Sequence, residues 1–251
     1  MKKHSIVLSF ILPALILAVW WLVSLYSDVP RAILPSPANV AAAFSDAMRS
    51  GLLITDLLIS LKRVLQAYVV AAILGLTAGS VMGVSRFAER IISPTLTAIR
   101  QIPVIAWIPL LILWFGIGEA SKTAVIFIAA FFPITVNAQS GVGSTPETYL
   151  EVARLYRLTP LQAFVRIRLP WALPQILTGM KLGLSSSWMA VVAAELIAAS
   201  SGIGYRLNYA RGLMESDLVI LCMLVIGLVG FILDLVLSRL LGRAKSFQYN
   251  K

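Results

Sequence analysis

At 251 residues, 59% hydrophobic and only 13% charged, the chain carries more apolar surface than a soluble core could bury. With a mean hydropathy of +0.89 it needs the bilayer as solvent for most of its length. The formal net charge of +10 sits in short segments between apolar runs, too short for a nucleic-acid-binding surface, so it reads as membrane topology. A single cysteine, Cys222, and a single histidine, His4, exclude an intrachain disulfide and a metal-ligand cluster, and leave Cys222 as inert packing.

Six segments in chain order are apolar and long enough to span a membrane. The first, residues 5–27, follows Lys2 and Lys3. It is too long for a secretory leader and lacks a small-residue cleavage site, so it reads as an uncleaved first span. Residues 28–62 open with Leu34-Pro-Ser-Pro37 and continue as an amphipathic helix expected along the outer interface. The second span, 64–85, carries Gly75, Gly79 and Gly83 on one face, where another backbone can approach closely. That face suits packing within the subunit or a seam between subunits. After the tight turn 86–90, the third span, 91–115, is interrupted by Pro94, Pro103 and Pro109. Proline at membrane depth is tolerated where the helix is buried in protein or lines a water-filled path, so either a structural kink or a pore-side kink fits. The fourth span is 123–139, the fifth 173–199 and the sixth 218–241. The expected fold is therefore one all-α integral membrane domain over residues 1–251, with about six transmembrane helices.

Basic residues orient it. Lys2, Lys3, Arg86, Arg90, Arg154, Arg157, Arg166, Arg168, Arg243, Lys245 and Lys251 fall on the side of the N-terminus. Arg31, Arg49, Lys62, Arg63, Lys122, Arg206 and Arg211 fall on the other. The bias places both termini in the cytoplasm. Polar groups inside the spans are costly and need partners, a span end or water. Lys181 and Asp234 lie near cytoplasmic ends and can snorkel. Arg100, Gln101, Ser185, Ser186, Ser187 and Trp188 are candidates for a polar translocation path. Glu195 is a further candidate, as a structural contact or gate ahead of direct solute contact.

Residues 140–171, between the fourth and fifth spans, form the most polar stretch on the cytoplasmic side. Thr145-Pro-Glu147 reads as an N-cap, a proline at the first helical position and a first-turn acid. A helix follows to about Arg157. Thr159-Pro-Leu-Gln162 reads as a capping box opening a second helix, expected to end near Leu169-Pro170. Two short capped helices make a preformed knob, and a knob on a cytoplasmic surface calls for a partner.

These residues carry a resemblance. Glu151-Val-Ala153, Arg157 and Ile167-Arg-Leu-Pro170 resemble the EAA loop of ABC importer permeases, whose pattern is E-A-A, three residues, G, nine residues, I-x-L-P. Val152 stands for the usual Ala and Arg157 for the usual Gly, so Thr159-Pro160 is expected to supply the bend. Leu34-Pro-Ser-Pro37, Ile112-Leu-Trp-Phe-Gly-Ile-Gly118, Phe132-Pro133, Ala193-Ala-Glu-Leu-Ile197 and Ser201-Gly-Ile-Gly-Tyr205 resemble the nitrate, taurine and aliphatic sulfonate branch. The likeness runs over residues 34–240.

The resemblance implies a multi-pass permease subunit in a bacterial inner membrane, without enzymatic activity or a cofactor of its own. Its partners would be two cytoplasmic ATP-binding subunits holding ATP and magnesium, a second permease copy as a homodimer, and an extracytoplasmic binding protein. The cargo would be a small anion such as a sulfonate, taurine or nitrate. Glu151, Ala153, Arg154, Arg157, Ile167, Leu169 and Pro170 would couple the loop to the ATPase.

Three rivals are weaker. Gly116-Ile-Gly-Glu-Ala-Ser-Lys-Thr123 nearly spells a phosphate-binding loop, but Ser121 replaces the Gly that precedes the Lys and no strand leads in. A secondary transporter driven by an ion gradient would show inverted repeats or paired intramembrane carboxylates. A membrane-embedded enzyme would need an acid pair or a nucleophile with its base, and none is spaced for it.

Overall fold

The computed structural model describes the backbone of residues 2–249, Asp28 and Arg31 excepted, and the side chains of residues 11–239 with the same exceptions. The basic side chains of Lys2, Lys3, Arg31, Arg243, Lys245 and Lys251, used above for orientation, lie outside the described residues, as does that of His4.

Every regular element among the described residues is helical: α1 Lys2–Tyr26, α2 Pro37–Arg49, α3 Leu52–Val84, α4 Arg86–Arg100, α5 Val104–Phe115, α6 Glu119–Gly143, α7 Glu147–Leu155, α8 Pro160–Ala163, α9 Leu169–Ala198, α10 Ile203–Gly212 and α11 Ser216–Tyr249. Helices satisfy their own backbone polar groups, which is the requirement inside a bilayer. Four described segments are long and apolar enough to cross one: Leu52–Val84, Glu119–Gly143, Pro160–Ala198 and Ser216–Arg239. The sequence-predicted third span is instead a broken pair, α4 and α5, bent by 96° at residues 101–103. Pro103 at the start of α5 removes an amide there, so neither helix continues into the other. The described apolar part of α1, Ile11–Tyr26, is shorter.

The core is a trio, α3 against α6 and α6 against α9. Small residues let α3 and α6 approach. A Cβ on Gly83 would lie 2.7 Å from the Val142 side chain, and one on Gly75 3.1 Å from that of Ile134. The predicted glycine face is thus a seam inside the chain, and close van der Waals packing is what holds helices together in lipid. Gly183 on α9 repeats the device against Ile134 from the other side of α6, 2.8 Å from that side chain for an added Cβ.

The stretch 28–62, read as an interfacial segment, divides at Gly51, and residues 52–62 depart from that reading. α2 is capped by Ser36, which accepts from the Asn39 amide, and it ends at Ser50. Gly51 then takes φ +69°, a left-handed turn, and α3 begins at Leu52. Residues 52–62 are therefore the first three turns of a 33-residue helix about 50 Å long. Leu53, Asp56 and Ser60 on these turns are buried against the bundle, so the core rather than the interface claims them.

The two ends of the trio differ. At one, the loop end, Gly83 and Gly143 meet and residues 144–168 project. At the other, the first turns of α3 and α6 meet the last turns of α9 and the start of α10.

Candidate functional site

At the loop end, α7 starts one residue later than Thr145 predicts. Thr145 is buried and its hydroxyl donates back to the Val142 carbonyl (2.9 Å), closing α6, while Pro146 takes the cap position. Glu147, the first-turn acid, pairs with Arg154 at 2.6 Å across two exposed side chains, a contact of small energetic weight. The end of α7 is more informative. Arg157 adopts φ +49°, its amide donates to the Arg154 carbonyl (2.9 Å), and the Leu158 amide donates to the Ala153 carbonyl (3.0 Å). That pair of bonds is a Schellman cap, whose left-handed position favours glycine. Arg157 therefore makes the bend itself, correcting the expectation that Thr159-Pro160 supplies it.

The capping box forms as predicted. The Thr159 hydroxyl accepts from the Gln162 amide at 3.3 Å, and the Thr159 amide donates to Gln162 Oε1 at 2.9 Å. The helix does not stop at Leu169-Pro170, however. Residues 164–168 form a π-helical turn in which the Leu169 amide donates to the Phe164 carbonyl, and the chain runs on into α9 with Pro170 in its first turn. Widening the turn removes the clash a proline ring makes with the carbonyl four residues before it.

Among the loop residues singled out from sequence, Glu151, Arg154 and Arg157 are exposed. Ala153 is 4% exposed, and Leu169 packs on the chain's own cluster of Ala138, Val142, Ala172 and Ile176. Ile167 and Pro170 are half-buried. The apolar surface the loop offers outward is a different set: Leu155, Tyr156 and Leu161 are each more than 70% exposed. Nothing in their spacing separates them from core residues, so the sequence left them unmarked. The knob is anchored to the bundle. Arg168 Nη1 donates to the Gly83 carbonyl (3.2 Å), the Trp171 indole donates to Ser144, and the Tyr149 and Trp171 rings lie 5.6 Å apart.

At the opposite end lies a charge network that the sequence reading did not assemble. Arg63 donates two parallel bonds to Glu119 (2.6 and 2.7 Å), one to Glu195 (2.7 Å), and two to Ser201, at its carbonyl and its hydroxyl. Glu195, 1% exposed, also accepts from the Ser60 hydroxyl (2.8 Å) and the Gly204 amide (3.0 Å). Lys122 pairs with Glu119 at 3.0 Å, so the lysine of the near-phosphate-loop stretch is committed inside the bundle. Asp56 accepts from the Gly202 amide (2.9 Å) and from Arg206 (2.5 Å). Gly202 has φ +107°, and a Cβ there would collide with the Glu195 carboxylate. Three acids and three bases cancel, and the bidentate arginine pair is the strong form of such a contact. The arrangement binds α3, α6, α9 and α10 into one block.

The translocation candidates do not converge. Arg100 and Gln101 are exposed at the end of α4, which has no buried residue. Ser185 through Trp188 are consecutive on α9, and successive helical residues point about 100° apart. Ser185 is half-buried. Ser186 lines a cavity of about 300 Å³ with Val104, Ile108, Val125, Met189 and Ala193. Ser187 is fully buried, and Trp188 donates its indole hydrogen to the Ile226 carbonyl at 3.0 Å. Glu195 is held in the network. Lys181 and Asp234, expected to snorkel separately, pair with each other at 3.1 Å between α9 and α11. Cys222 is fully buried in the core.

Apolar helices of membrane length, packed through small residues around a central α6 with a capped polar knob at one end, define a helical integral membrane domain. The chain belongs to the family of binding-protein-dependent transport system inner membrane components, which matches residues 71–245. A putative ABC transporter permease protein of Methanocaldococcus jannaschii is 38% identical over 93% of this chain and 89% of its own length. The taurine transport system permease protein TauC of Escherichia coli is 34% identical over 95% and 88%. The nitrate import permease protein NrtB of Synechococcus elongatus is 34% identical over 87% and 82%. Among solved structures, the inward-facing MetNI methionine ABC transporter shares the fold at a TM-score of 0.68 and 18% identity, covering 78% of this chain and 97% of that one.

Proposed function

We propose that this chain is one of two identical permease subunits of an ATP-driven importer for a small anion such as a sulfonate, taurine or nitrate. An extracytoplasmic binding protein delivers the cargo. Separate cytoplasmic subunits bind ATP and magnesium and hydrolyse the ATP, and the loop docks on them through the outward face that carries Leu155, Tyr156 and Leu161. Both termini and the loop end face the cytoplasm.

The observation that carries this reading is the build of the loop. A Schellman cap at Arg157 and a capping box at Thr159 fix two short helices, and the π turn joins them without a flexible link to α9. A rigid element continuous with a spanning helix transmits a displacement into the bundle, whereas a flexible one absorbs it. Leu155, Tyr156 and Leu161 give its outer face an apolar surface for a partner, flanked by Glu151. The relatives that name an anionic or sulfonated cargo support the substrate class.

The test is co-expression with the ATPase subunit. Glu151→Lys or Leu155→Asp should insert normally yet lose the co-purifying ATPase and ATP-driven uptake, since a charge buried unpaired in a contact typically costs about 3–5 kcal/mol. Uptake that persists on a proton gradient with ATP withheld would sink the importer reading.

A further inference from the structure

An apolar groove of about 590 Å³ runs along the last turns of α3 and the segment 164–169, lined by Leu76, Val81, Val84, Ser85, Phe164 and Leu169. From Leu76 to Val84 it follows α3 for about 12 Å, toward the loop end. Its volume falls within the range of about 300–1,000 Å³ usual for ligand sites. None of its lining residues is charged, and three arginines flank the lining residues in the chain at its loop end. Arg168, next to Leu169, donates to the Gly83 carbonyl at 3.2 Å beside Val84, Arg86 follows Ser85 directly and is exposed, and Arg166 is exposed between Phe164 and Leu169 in the chain. Among the described residues, none of these three arginines is in an ion pair with a carboxylate.

We propose that this groove binds an anionic phospholipid, its acyl chain along Leu76, Val81 and Val84 and its phosphate on Arg168 and Arg86. The charge at the mouth selects this occupant. An apolar helix of a second copy laid in the groove would bury the guanidiniums unpaired, at several kcal/mol each by general estimate. A zwitterionic headgroup would bring a second cation to a site that already holds three. A phosphodiester with net negative charge satisfies the arginines while its tail fills the apolar wall, and basic pockets between spans at a membrane face are where such headgroups bind.

The experiment uses the purified permease with its ATPase in nanodiscs of equal phosphatidylglycerol and phosphatidylcholine, followed by detergent exchange and mass spectrometry of the retained lipid. Phosphatidylglycerol should be retained preferentially, and Arg86→Gln and Arg168→Gln should each lower that preference about fivefold. Val81→Trp, which fills the groove without touching a charge, should release the retained phosphatidylglycerol. Equal retention of the two lipids overturns the proposal, as does wild-type retention in Val81→Trp or unchanged preference in both arginine variants. Disulfide cross-linking of two copies through Val81→Cys would place a second copy in the groove and overturn it equally.

Discussion

Arg63 holds two carboxylates at once, the exposed Glu119 and the fully enclosed Glu195, and it is itself 4% exposed. Removing it strands Glu195 in a site whose remaining donors are the Ser60 hydroxyl and the Gly204 amide. A buried pair broken on one side typically costs about 3–5 kcal/mol, more than the pair contributes against an apolar replacement of the same shape. Arg63→Met is therefore expected to destabilise strongly. The double variant Arg63→Met with Glu195→Leu should cost less than the sum of the two single changes, by roughly 1–3 kcal/mol. Equilibrium unfolding of the four proteins in mixed detergent measures the cycle, and strict additivity would mean the two groups do not share a network. The sequence hid this cluster because its members lie far apart: Arg63 and Glu195 are separated by 132 residues, Asp56 and Arg206 by 150. Each taken singly looks like a span-end charge, which is how Arg63, Lys122 and Arg206 were sorted by the orientation rule. The one available signal was that opposite charges border apolar runs at the same side of the membrane.

At the scale of the element, the turn between α7 and α8 decides whether the loop is a lever. The capping box at Thr159 and Gln162 was legible because its chemistry is local, three residues apart. The turn at Arg157 was not, because a left-handed residue is a backbone fact that the side chain conceals when it is not glycine. The same holds for the π turn. Pro170 advertises a helix end, and only the continuous pattern of hydrogen bonds across Phe164 and Leu169 shows that the helix absorbs it. Arg157→Gly should then leave ATPase docking intact and stabilise the turn by about 1 kcal/mol, since glycine escapes the left-handed penalty. Arg157→Val, β-branched, should open it by a similar amount. Hydrogen exchange of the Leu158 amide, which closes the cap onto Ala153, reads the difference directly. Faster exchange in the glycine variant would contradict this account of the bend.

For the whole molecule, the two ends of the bundle are unlike, one carrying the projecting loop and the other the charge network. The long helices were legible as apolar runs, and the glycine spacing of α3 announced a seam, although composition could not say which helix lay across it. The break between α4 and α5 was legible as three prolines but not as a 96° bend. If the loop end faces the cytoplasm, Glu151 and Arg211 lie on opposite sides of the bilayer, since α9 runs from the loop end toward α10. The chain supplies its own background for testing this. Cys222 is its only cysteine and is fully buried in the core, so a membrane-impermeant maleimide should leave the parent protein unlabelled. Both test positions are exposed. Glu151→Cys should be labelled in inside-out vesicles and protected in right-side-out ones, and Arg211→Cys should show the reverse. Labelling of both from one side would mean that α9 does not cross. Reversal of the two would place the loop outside, where no ATPase could reach it.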